Sequence, residues 1–110
     1  MGHPKFSVTT AKNGKFRFNL TAKNGQVILA SQSYTTKASC LNGVDSVKKN
    51  AADENMFEVS RSKDDQHYFN LKSSNGQIIG TSEMYTTAAA CKNGIKSVMT
   101  NAPIAEPEEE

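Results

Sequence analysis

The most constraining feature of this chain is that it is written twice. A shift of 51 residues aligns Phe6 with Phe57, Val8 with Val59, and Phe18-Asn19-Leu20 with Phe69-Asn70-Leu71. The alignment continues through Asn24-Gly25-Gln26, Tyr34-Thr35-Thr36, Ala38, Cys40 and Asn42-Gly43. Between residues 6 and 51, 22 of 46 positions are identical to their counterparts without a gap. A unit of this length is marginal alone, because ordering it costs roughly 1.5 kcal/mol per residue against a return of roughly 25 cal/mol per Å² of apolar burial. The two copies are therefore expected to complete one shared core, with repeat one at 5–52 and repeat two at 56–103 of a single domain over 1–103. The short connection from Asn50 to Met56 favours side-by-side packing over flexible tethering.

Each copy opens with alternation of period two and closes with spacings of three and four. Phe6, Val8 and Thr10 alternate with polar residues, as do Phe16, Phe18 and Leu20, and the apolar run Val27-Ile28-Leu29-Ala30 follows. Asn13-Gly14 and Asn24-Gly25 between these runs predict two-residue hairpin turns and a three-stranded meander. Cys40, Val44, Val47 and Ala51 then mark one helical face, repeated as Cys91, Ile95, Val98 and Ala102. Thr35 or Thr36, and Thr86 or Thr87, are candidate N-caps. Asn42-Gly43 and Asn93-Gly94 oppose helix by local propensity, but a turn there would split the apolar stripe. The resulting expectation is an α+β fold: two tandem β-β-β-α units in one pseudo-twofold antiparallel sheet, with two helices on one face.

Phe-Asn-Leu followed by Asn-Gly, the Tyr-Thr-Thr helix start and the Asn-Gly helix segment, arriving twice in that order, resemble the YegP-like proteins. This small bacterial group is also described as UPF0339 or DUF1508, and the likeness covers residues 5–103. The resemblance implies a further short strand after each helix, exchanged between the units, and a monomer for a chain holding both units. It brings no catalytic reaction and no assigned active residues. From the residues themselves, Pro103, Pro107 and four glutamates over 104–110 read as a flexible acidic tail rather than a strand.

Charge is unevenly distributed. Residues 1–52 carry eight basic groups against Asp45, a balance of +7, while residues 53–103 balance at −1 and the tail at −4. A surface for an acidic partner is therefore expected in the first repeat, where the tail could compete for it. No apolar run approaches the roughly 20 residues of a membrane span. The N-terminus has no apolar secretion segment, and two cysteines are too few for a disulfide framework, so a cytoplasmic setting is expected.

Chemistry finds little footing. Two histidines and two distant cysteines match no metal pattern, and no cofactor motif, serine elbow or phosphate loop occurs. Asp64-Asp65 reads as a turn and Asp53-Glu54 as part of the connection, so no enzyme is expected. Cys40 and Cys91 read as small core residues. A thiol redox protein using either is the alternative from another class. The favoured expectation is an interaction or accessory module that binds a macromolecule through the sheet face opposite the helices. Alternation places Arg17, Asn19 and Thr21 of copy one and Tyr68, Asn70 and Lys72 of copy two on that face, beside a basic patch of Lys12, Lys15 and Lys23. Single-stranded nucleic acid is the alternative partner, with Arg17 and Tyr68 offering phosphate contact and base stacking. Tyr34 and Tyr85 are expected to pack over the helix starts.

Overall fold

The alternating runs become strands and the three-and-four spacings become helices. In the computed structural model, which describes residues 3–109, β1 (Lys5–Thr10), β2 (Phe16–Thr21) and β3 (Val27–Ala30) lead into α1 (Lys37–Asn50). The second copy repeats them as β4 (Phe57–Arg61), β5 (His67–Lys72), β6 (Ile78–Thr81) and α2 (Ala88–Asn101). Thr36 and Thr87 are the N-caps, their hydroxyl oxygens accepting from Ser39 N–H at 3.1 Å and Ala90 N–H at 3.0 Å.

The strands form one sheet in the order β4-β5-β6-β3-β2-β1-β7. Both meanders are antiparallel, and they join where β3 meets β6 through the pair Ala30↔Thr81. Each helix reaches across this junction: α1 packs on β2, β5 and β6, and α2 on β3 and β5. Phe6, Phe18, Leu20, Leu29, Phe69 and Leu71 are fully buried with Cys40, Val44, Val47, Cys91 and Val98 in a single core shared by both repeats.

Three details of the strands and their turns depart from the sequence expectation. First, the hairpins are not two-residue turns. Ala11 N–H donates to the Lys15 carbonyl at 2.8 Å and Gly14 N–H to the Ala11 carbonyl at 2.9 Å, enclosing a three-residue loop, and the other three hairpins repeat this pattern. Only the third loop residue needs a positive φ: 82° at Gly14 and Gly25, 86° at Gly76 and 63° at Asp65. The asparagines hold their loops differently, Asn13 Oδ1 accepting from Lys15 N–H at 3.0 Å and Asn24 Oδ1 from Gln26 N–H at 3.0 Å.

Second, the sheet is mixed rather than wholly antiparallel. Third, the cause lies in the segment read as a flexible tail: Glu106–Glu109 form β7, the exchanged strand that the family resemblance implies after the second helix, and it runs parallel to β1 from Lys5↔Glu106 to Val8↔Glu109. An edge strand satisfies its partner with one side of its backbone, so Pro107 is tolerated there despite lacking an N–H. The glutamates meet cations of repeat one: Glu108 lies 2.9 Å from His3 and 3.7 Å from Lys5, Glu106 lies 3.9 Å from Lys48, and Glu109 pairs with Lys37.

The mid-helix glycines have a packing reason. A Cβ on Gly43 would stand 2.8 Å from Tyr34 Cζ and 3.0 Å from Phe18 Cε2, and one on Gly94 would stand 2.7 Å from Tyr85 Cζ. Tyr34 thus lies against the middle of α1 rather than over its start, stacked on Phe18 at 6.2 Å and 12°. Tyr85 and Phe69 repeat the stack at 6.4 Å and 10°. The pseudo-twofold is broken at its centre. Leu29 and Gly80 occupy equivalent positions, and a Cβ on Gly80 would lie 2.7 Å from Leu29 Cγ. One leucine fills the space where two would collide.

Candidate binding surfaces

With both helices on one face, no element among the described residues covers the other face of the sheet. Strand register builds a row of side chains straight across it: Glu58, Asn70, Thr81, Ala30, Asn19, Ser7 and Glu108. The row is polar and short, with Ala30 and Thr81 at its middle. Asn19 and Asn70 therefore share one line, three strand spacings or about 14 Å apart. Their partners differ. Asn70 Oδ1 accepts from the Thr81 hydroxyl at 2.8 Å, whereas Asn19 faces Ala30, which has no hydroxyl to offer.

Arg17 and Tyr68 also face this side, Arg17 exposed and Tyr68 half-buried. They do not form one site. β2 and β5 run in opposite directions, so the two side chains fall on opposite sides of the row, roughly 19 Å apart by strand spacing and rise. Thr21 is 8% exposed, and its hydroxyl lies 3.4 Å from the Lys5 carbonyl, so it contributes little open surface. Lys72 is held by Glu58 at 3.1 Å.

The expected basic patch separates in the same way. Lys12 and Lys15 stand in the β1–β2 loop beside Arg17, all three exposed. Lys23 lies in the β2–β3 loop at the other end of β2, about 20 Å away for a six-residue strand. The excess charge of repeat one is further reduced where Lys5, Lys37, Lys48 and His3 meet β7. Lys12, Lys15 and Arg17 are left at one corner, where the β1–β2 loop enters β2, with Lys23 and Lys49 elsewhere in the repeat.

A polar cleft of about 300 Å³, which sequence reasoning missed, lies between the outer side of α1 and the β5–β6 loop. It is lined by Asn42, Asp45, Ser46, Lys49 and Asn50 from one copy and Ser73, Ser74 and Asn75 from the other. No sequence signal marks it, because its walls come together only when the copies pack. Asn50 is tied down within it, its amide donating to the Ser46 carbonyl at 2.8 Å.

The cysteines lie in the core at 0% and 1% exposure, and burial pushes both thiols above their ordinary pKa. Desolvation raises Tyr34 and Tyr85 as well, with Cys40 and Cys91 as further neighbours acting in the same direction. Among the described residues, no three His, Cys, Asp or Glu side chains gather as a metal cluster, and no helix is long and apolar enough to cross a membrane. His67 sits half-buried at the end of the core, where it pairs with Tyr85 as Phe16 pairs with Tyr34.

Comparison with known proteins gives a consistent result. A UPF0339 protein from the ptx operon 5′ region of Stutzerimonas stutzeri is 50% identical over 101 residues, covering 92% of this chain and 91% of its own. The UPF0339 protein YegP of Yersinia pestis is 46% identical over 101 residues, covering 92% and 88%. The solution structure of E. coli YegP, a protein of unknown function, superposes with a TM-score of 0.93 at 37% identity, covering 100% of this chain and 95% of that one. The model of a family described as a domain of unknown function, DUF1508, matches residues 11–58 and again 62–109, so each match runs on into the strand that follows the helix. Two matched repeats and this shared architecture place the chain in the DUF1508 family, among the UPF0339 or YegP-like proteins.

Proposed function

We propose that this protein is a binding module that presents its helix-free sheet face to a negatively charged macromolecule, anchored at the corner formed by Lys12, Lys15 and Arg17. One observation carries this reading: three exposed cations fall within six residues, where the β1–β2 loop enters β2 at the end of a polar sheet face, while other cations of the same repeat are occupied by β7. Exposed cations attract polyanions over a Debye length of about 8 Å at physiological salt. The asparagine row supplies directional hydrogen bonds once contact is made. Base stacking is a weaker element of the reading, since Tyr68 is isolated from Arg17. Redox chemistry has no support from Cys40 or Cys91, because a buried thiol with a raised pKa is a poor nucleophile.

The test uses a labelled single-stranded oligonucleotide and a polyglutamate of similar length, titrated at low and at physiological salt. Binding of either should weaken steeply with salt and fall about tenfold on Arg17→Glu, as expected when a close charge contact is reversed. Lys23→Glu, at the far end of β2, should change it by less than about twofold, because screening weakens charge interactions across such a distance. No binding at low salt, or equal losses from both variants, would refute a site at this corner.

A further inference from the structure

The two copies differ most at their outer edges. In copy one, β7 lies along β1 and leaves Val8 only 4% exposed. In copy two, no described strand pairs with the outer edge of β4, and Val59, the counterpart of Val8, is 53% exposed. The chain cannot cover this edge as it covers the first. The residues equivalent to β7 are 55–58, and these already run through a short 3-10 turn (Glu54–Met56) into β4 itself. A strand cannot lie parallel to the segment it continues into, since a parallel pair needs a crossover of about a dozen residues.

The filled edge shows what such a site holds. The core-side positions of β7 are Pro107, paired with Phe6, and Glu109, paired with Val8 and reaching Lys37. Carried across by 51 residues, the cations move. Lys37 becomes Ala88 and Lys48 becomes Met99, while Leu41 becomes Lys92 and Thr10 becomes Arg61. The β4 edge thus combines apolar surface at Val59 and Met99 with positive charge at Arg61 and Lys92. Arg61 has an acidic partner in Asp65 at 2.9 Å, but the pair is exposed and readily exchanged for another carboxylate.

We propose that the outer edge of β4 is a peptide-docking site. It takes an extended segment parallel to β4, with an apolar residue followed two positions later by an acidic one, as β1 takes β7. The apolar residue covers Val59 and Met99, and the acid meets Arg61 and Lys92. Backbone pairing along the open edge supplies affinity and the alternate side chains supply specificity. This edge is separate from the sheet face of the preceding proposal and does not depend on it.

The probe is a blocked octapeptide with the sequence of residues 103–110 carrying Pro107→Val, titrated into the isotope-labelled full chain. Chemical-shift changes should saturate and map to residues 57–61 and Lys92, leaving 5–8 unmoved. Arg61→Glu and Val59→Asp, both exposed and so compatible with folding, should each weaken binding about tenfold. Shifts confined to the β1 edge would mean that the peptide only displaces β7, and would overturn the proposal. So would the absence of saturable change up to about 1 mM peptide, a very weak limit. A concentration-dependent dimer with β4 amides protected before any peptide is added would also overturn it, by making a second copy the occupant.

Discussion

Gly43 occupies a position in α1 where helix propensity alone would favour almost any other residue. Its occupant is dictated by Tyr34, whose ring lies against the helix backbone and stacks on Phe18. Alanine there would gain about 1 kcal/mol of helix propensity and lose about 1–3 kcal/mol to overpacking. Gly43→Ala should therefore destabilise the protein in urea denaturation, and in a Tyr34→Ala background the same change should become neutral or stabilising. An increase in stability from Gly43→Ala alone would show that the tyrosine does not press on the helix. Both residues recur 51 positions later, so the sequence marks them as linked to the fold. It does not mark their contact, because the tyrosine precedes the helix start and touches it nearly two turns further on.

At the scale of elements, β7 is the segment whose character the sequence conceals. Two prolines and four glutamates in its neighbourhood lower intrinsic strand propensity, which reports how well a residue fits a half-buried pleated surface. The strand forms because β1 offers an open edge and repeat one offers cations. Of these, the backbone ladder should dominate, since each hydrogen bond contributes about 1 kcal/mol net and an exposed ion pair less than that. A chain ending at Ala105 should lose about 2–4 kcal/mol of unfolding free energy. Glu106→Gln with Glu109→Gln should lose much less. Equal losses in the two proteins would mean that charge, not pairing, holds the strand.

At the scale of the molecule, the repeats are interleaved rather than adjacent. Each helix covers strands of the other copy, and the last strand of the chain pairs with the first. Fragments 1–52 and 53–110 should each lack dispersed amide spectra alone, yet reassemble when mixed and melt in one cooperative transition. A folded, cooperative single fragment would contradict a shared core. The connection is the place to cut, because residues 51–53 carry no long-range hydrogen bond among those of the described backbone.

The duplicated pattern was sufficient by itself to establish two β-β-β-α units, their helix faces, a threonine cap for each helix to within one residue and the need for a common core, because periodicity and capping are local properties of the chain. The candidate surface was only half legible. Alternation correctly assigns side chains to a sheet face, but strand direction decides which of them meet, and that separates Arg17 from Tyr68 and Lys23 from Lys12 and Lys15. The family resemblance implied the strand after the second helix, but tertiary structure alone decided its parallel pairing with β1, the Leu29–Gly80 contact at the pseudo-twofold and the bare edge of β4. Each arises where one copy meets the other or fails to, and no local propensity records an encounter between residues so distant along the chain.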